Sequence, residues 1–194
     1  MKHLYMKTLT VLFSLFLIMP ALAQSDFSID PSSTMTITGT SSMHDWDEAV
    51  TEINGALSAS VSGTELTNIS SFSLTVPVES IESGKSIMDN KTYDALKYEE
   101  HPTIEFQLVE LSSIQKVGKN YMVKGKGELT IAGVTKKVEV MAAWGFNDAG
   151  QLLCRGGYTI DMTDYNMEPP VAMMGAMKVG EKVNVKYDLI FSAE

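Results

Sequence analysis

The 194-residue chain carries 15 Lys and Arg against 24 Asp and Glu, a formal net charge of −9. That balance excludes nucleic acid, which is held chiefly by Lys and Arg on phosphate, and disfavours anionic membrane surfaces. The length suits one domain, and a single cysteine, Cys154, excludes an internal disulfide, so the core alone must hold the fold.

Residues 1–23 read as a secretory signal peptide. Lys2 and Lys7 form a basic start, Leu9 to Met19 is an almost unbroken apolar run, and Pro20-Ala21-Leu22-Ala23 offers the small residues that signal peptidase reads. The run is short of the roughly 20 residues that a spanning helix needs, so cleavage before Gln24 is expected rather than a membrane anchor. Export to the periplasm or beyond the cell follows, with no stable membrane insertion afterwards. Loss of Lys2 and Lys7 takes the net charge from −9 to −11.

From Gln24 to Glu194 the dominant signal is alternation of apolar and polar residues, the mark of strands with one buried face. Strands are expected at Thr34–Ser41 and Trp46–Ile53, with Asn54-Gly55 as a two-residue hairpin turn. Phe72, Leu74, Val76 and Val78 share one face of the next strand. Ser86 to Tyr98 breaks the pattern. Its apolar residues Met88, Thr92, Ala95 and Leu96 fall at helical spacing, Ser86 and Asp89 resemble a capping box, and Pro102 closes the segment. Alternation then resumes through Ile104, Phe106 and Leu108, through Tyr121, Val123, Gly125, Gly127, Leu129 and Ile131, and through Val138, Val140, Ala142, Trp144 and Phe146. Ala132-Gly133 and Asp148-Ala149-Gly150 punctuate these as turns. Leu152–Met162 and the run Val183, Val185, Tyr187, Leu189, Phe191 complete about eight strands joined by short turns, an antiparallel meander. Such a meander forms a sandwich or a closed barrel, and only the barrel removes exposed edges.

Little in this chain points to catalysis. His44 and His101 are the histidines outside the leader, and neither sits beside a recognisable nucleophile or within a Gly-x-Ser-x-Gly elbow. His44, Asp45 and Asp47 match no established metal spacing. Cys154 lies in an apolar strand and reads as a small buried hydrophobe. Near the C-terminus Met162, Met167, Met173, Met174 and Met177 surround Pro169-Pro170 and Gly175. Thioethers pack irregular gaps, adapt to an apolar ligand at a mouth, or bind cuprous copper, and the sequence leaves all three open. Gly125 and Gly127 on an inward face either leave lumen space or serve a bend in the strand. An eight-stranded barrel has just enough interior to be packed solid or to hold one ligand.

A set of short segments in fixed order resembles the YceI-like family. They are Gly39-Thr40-Ser41-Ser42-Met43-His44-Asp45-Trp46, Val76-Pro77-Val78-Glu79-Ser80-Ile81, Met88-Asp89-Asn90-Lys91, His101-Pro102-Thr103-Ile104-Glu105-Phe106, Gly127 to Lys136, Asp164-Tyr165-Asn166-Met167, and Val179-Gly180-Glu181-Lys182-Val183. The resemblance spans nearly the whole of residues 24–194 and implies an all-β, extended eight-stranded antiparallel lipocalin-like barrel with one short inserted helix and an elongated apolar tunnel. Members of that family are periplasmic or secreted, and some bind polyisoprenoid lipids. It implies no shared catalytic set, and the Met-rich stretch departs from it.

The expectation is therefore a carrier that sequesters a long-chain amphiphile such as an isoprenoid lipid or a quinone. Burial of a chain from water is worth about 0.8 kcal/mol per methylene. Expected liners are Phe72, Leu74, Phe106, Leu108, Val123, Gly125, Gly127, Val140, Trp144, Tyr187 and Leu189, with Met167, Met173, Met174 and Met177 at the mouth and His44 and Tyr165 near a head group. A soft-metal or stress-response protein using the methionine loop and a lipid-modifying enzyme are the alternatives. The sequence leaves an oligomer open.

Overall fold

The computed structural model describes residues 24–172 and 176–193, so the expected signal segment at residues 1–23, Met173 and Met174 lie outside the described residues. The chain runs β1 (Gln24–Ile29), β2 (Thr34–Ser41), β3 (Trp46–Val50), β4 (Asn54–Ser62), β5 (Glu65–Pro77), β6 (Ile81–Glu82), helix α1 (Ser86–Ala95), β7 (Thr103–Val117), β8 (Asn120–Ile131), β9 (Val134–Phe146), β10 (Leu152–Asp161), β11 (Val171–Ala172) and β12 (Met177–Ala193).

Every strand pairing is antiparallel. β4, β5, β7, β8, β9, β10 and β12 follow one another around the sheet, and β1 closes the ring by pairing with β4 on one side and β12 on the other. Phe27 faces Ala193 and Ile29 faces Phe191 across that seam. β2 continues the line of β1 along β12 after a bend at residues 30–33, β3 pairs with β2, and β6 pairs with β3. β1 with β2, β3 with β4, and β5 with β6 thus act as three long bent strands, and the architecture is a closed eight-stranded antiparallel barrel with one short helix, as expected. β5 and β7 pair from Ser73 to Pro77 and separate toward the β7–β8 turn, while beyond the other end of that pairing the chain leaves the wall between β6 and β7. α1 is inserted there.

The alternation seen in the sequence matches the faces. Tyr121, Val123, Gly125, Gly127 and Ile131 point inward and are buried, while Lys124 and Lys126 between them are exposed. Two local readings change. Asn54-Gly55 is not a turn: both residues lie in β4, opposite Thr75 and Leu74. Glycine is needed at position 55 because a Cβ there would run into the Ser73 carbonyl and the Ile29 side chain. The hairpin falls eight residues later, at Gly63, whose φ of 62° suits a residue without a Cβ. The helix also ends earlier than expected, at Ala95, because Lys97 turns left-handed at φ 55°. Its start is fixed not by Ser86 but by Ser83, whose N–H and hydroxyl both donate to the Asp89 carboxylate, at 2.8 and 2.6 Å.

The barrel is solid at one end. Leu57, Ala59, Leu66, Leu152 and Phe191 are each no more than 2% exposed and fill the end near the β7–β8 and β9–β10 turns. Above them Phe72, Trp144 and Phe191 make an aromatic layer, with Trp144 stacked on Phe191 at 5.8 Å and Phe72 edge-on to both. Gly127 belongs to the packing as well. A Cβ there would meet the Phe106 ring and the Gln107 carbonyl, so the space it leaves is taken by the neighbouring strand. Gly127→Ala is expected to cost about 1 kcal/mol in a thermal melt, the lower end for overpacking, because the ring has to move. Unchanged stability would mean that the ring does not lie over the glycine.

Candidate functional site

Between the aromatic layer and α1 the barrel is hollow. The cavity measures about 660 Å³ and its wall is almost entirely apolar. That volume lies within the usual range for small-molecule sites. Its floor is set by Ile69, Phe72, Val123, Trp144 and Cys154, and its roof by Ile87, Met88, Thr92 and Ala95 of α1 with Leu96 just beyond it. The helix lies there because the connection from β6 to β7 carries it across that end of the barrel, and Ile87, Met88 and Ala95 face the opening.

The expected liners divide. Phe72, Leu74, Phe106 and Leu108 from β5 and β7 face the cavity, as do Val123 and Gly125 from β8. Val140 and Trp144 from β9 and Tyr187 from β12 complete that wall. Leu189 points inward but is wholly buried below the floor, Gly127 is covered by Phe106, and neither reaches the cavity. Leu189 differs from Tyr187 only in depth, which alternation does not encode.

The mouth is built from the β2–β3 turn, the start of α1 and the segment leading into β12. Ser41 organises the first of these. Its hydroxyl donates to the His44 carbonyl at 2.7 Å and accepts from the N–H groups of Met43 and His44. Trp46 follows, lying across Gly39 with its indole N–H donating to the Thr40 carbonyl at 3.2 Å. The Gly39 to Trp46 segment is thereby a self-contained turn that sets exposed His44 at the rim. Met167 and Met177 also face the cavity, while Tyr165 is buried and does not line it. Burial pushes the Tyr165 hydroxyl pKa up to about 12, with Tyr158 and Asp164 adding to it. Tyr165 sits in the short turn Met162–Tyr165, which Asp161 caps by accepting from Thr163 and which Asn166 ends at φ 53°.

The wall also carries a buried carboxyl that strand alternation does not reveal. Glu48, on β3, is 1% exposed and faces the cavity beneath α1. Its Oε1 accepts from the Thr92 hydroxyl at 2.7 Å, and no cation lies within ion-pair distance of it among the described residues. Burial raises its pKa to about 6, against the opposing Thr92 hydrogen bond and with Asp89 adding repulsion. The signal was present in the sequence, since Glu48 shares a face with Trp46 and Val50, but an acid in a half-polar strand reads as solvated.

Cys154 is buried on the inward face, and burial holds its thiol pKa far above the ordinary value. The thiolate that nucleophilic chemistry needs is therefore absent at neutral pH. Among the described residues no three His, Cys, Asp or Glu side chains cluster to hold a metal ion, and no helix is long and apolar enough to cross a membrane.

Several solved structures share the fold. BcnA from Burkholderia cenocepacia superposes with a TM-score of 0.65 at 20% identity, covering 84% of this chain and 98% of its own. A polyisoprenoid binding domain from Saccharophagus degradans, implicated in plant cell wall breakdown, gives 0.67 at 14% identity, covering 87% and 98%. The YceI protein of Campylobacter jejuni gives 0.55 at 17%, covering 76% and 84%. No curated protein matches the chain in sequence. The model of the YceI-like domain matches residues 25–191, the whole of the barrel from β1 to Phe191 in β12, and the chain belongs to the YceI-like family.

Proposed function

We propose that this protein is an exported carrier that takes a long-chain, lipid-like amphiphile into the barrel, with an isoprenoid chain as the best-fitting class. The observation that carries this reading is the cavity itself, about 660 Å³ of apolar space closed below by Trp144 and roofed by α1. A barrel filled for stability alone would not leave such a volume, because protein interiors are packed nearly as densely as organic crystals. The Saccharophagus degradans domain of the same fold is described as polyisoprenoid-binding, which supports the ligand class. Export rests on the Lys2 to Ala23 leader.

Organic extraction of natively purified protein, followed by mass spectrometry, is expected to release a long-chain lipid in near-equal amount to protein. Protein that never carries lipid, from cells or after incubation with polyprenol, would count against the carrier. Intact-mass measurement of exported material is expected to place the first residue at Gln24. Retention of residues 1–23 would overturn the leader assignment.

A further inference from the structure

The cavity wall is mostly apolar, and the one buried charged group on it among the described residues, Glu48 beside Thr92, discriminates between ligands. We infer that the site takes amphiphiles whose polar end donates a hydrogen bond, such as a hydroxyl or amide, and rejects those ending in a carboxylate or phosphate. The inference rests on the carrier reading and names the polar end of the ligand it takes.

Glu48 is a carboxylate in a place that carboxylates avoid. It is almost fully withdrawn from solvent, and Thr92 is its sole hydrogen-bond partner among the described residues, through Oε1. A buried ionised group left without partners is costly, and a donor brought to it recovers part of that cost. A ligand hydroxyl or amide beside Oε2 would do so, while its chain runs down past Val123 and Phe72 to Trp144. An anionic end in the same place would bring like charges together in a poorly screening interior, where repulsion is strongest.

Two lysines at the rim argue the other way and are outweighed. Lys85 is exposed, so water screens it. The Lys91 ammonium donates to the Val171 carbonyl at 3.0 Å, which ties α1 to β11. Neither forms an ion pair with Glu48. The buried acid therefore dominates the choice.

Displacement of the fluorescent probe N-phenyl-1-naphthylamine from the full exported chain tests this at neutral pH, with dodecanol and dodecanoate as competitors. Dodecanol is expected to displace the probe at a concentration lower by about tenfold or more, the value of a hydrogen bond to a charged group. In Glu48→Gln that gap is expected to narrow sharply, whereas a gap due only to the greater water affinity of dodecanoate would persist. Thr92→Val, compared at about pH 9 because loss of the Thr92 hydrogen bond raises the Glu48 pKa further, is expected to keep the preference. Dodecanoate binding as tightly as dodecanol to the wild type overturns the inference. So does an unchanged gap in Glu48→Gln, or a gap lost in Thr92→Val at that alkaline pH. A barrel that admits neither the probe nor either competitor removes the carrier reading itself, and the inference falls with it.

Discussion

Trp144→Ala is expected to lower the stability of the barrel by about 3 to 5 kcal/mol, the usual range for removing a large buried aromatic. The residue is 3% exposed, stacks on Phe191 at 5.8 Å and receives the edge of Phe72 at 5.9 Å. Its loss would take away the middle of the aromatic layer that separates the packed end from the hollow one. Cavity and packed end would then merge, and the neighbouring rings cannot collapse far because each is fixed on a different strand. Lys124→Ala on the adjoining strand removes only an exposed side chain and should stay within about 0.5 kcal/mol. Denaturant melts of the two variants side by side provide the check. Equal shifts in midpoint would show that the inward and outward faces of β8 and β9 are misassigned.

Replacing Glu48 by Gln is expected to stabilise the protein at neutral pH by up to about 2 kcal/mol and to flatten its pH dependence. In the folded chain the Glu48 pKa stands at about 6, against an ordinary 4.5. A raised acid pKa means that the native state holds the proton more tightly than the unfolded chain does. The resulting stability is fully present below pH 4.5, declines as pH rises through 6, and is gone by neutrality. Each pKa unit is worth about 1.4 kcal/mol, which gives the stated ceiling of about 2 kcal/mol. The opposite behaviour belongs to Asp30, Asp161 and Glu65, whose pKa values are lowered by hydrogen bonds from Ser32, Thr163 and Lys116. Glu65 is exposed and Asp30 and Asp161 are half-buried, and all three lose their small contributions only below the ordinary carboxylate range, outside the window of Glu48. Thermal melts from pH 4.5 to 7 should show the wild type losing stability relative to Glu48→Gln. Parallel curves would mean that the carboxyl is solvated in the native state.

The sequence by itself determined the strand faces, the antiparallel order and the place of the helix. Side chains alternate across a strand with a period of two, so Tyr121, Val123, Leu129 and Ile131 declare their common face whatever they pack against. Ala132-Gly133 declared its turn because both residues hold positive φ, at 48° and 78°. Asn54-Gly55 carried a comparable signal and misled, because there glycine answers a close approach by Ile29, a contact between β1 and β4 that no local pattern contains. Depth along the barrel was invisible for the same reason. Tyr187 and Leu189 are both inward on β12, yet one faces the cavity and the other lies under its floor. Which inward residues meet empty space depends on where the aromatic layer forms and where α1 roofs the barrel. Glu48 is the sharpest case. Its charge suggested water, and only the arrival of α1, distant in sequence, withdraws it from solvent and sets Thr92 beside it. Local patterning fixes which way a side chain points, whereas what it meets there is decided by elements far away in the chain.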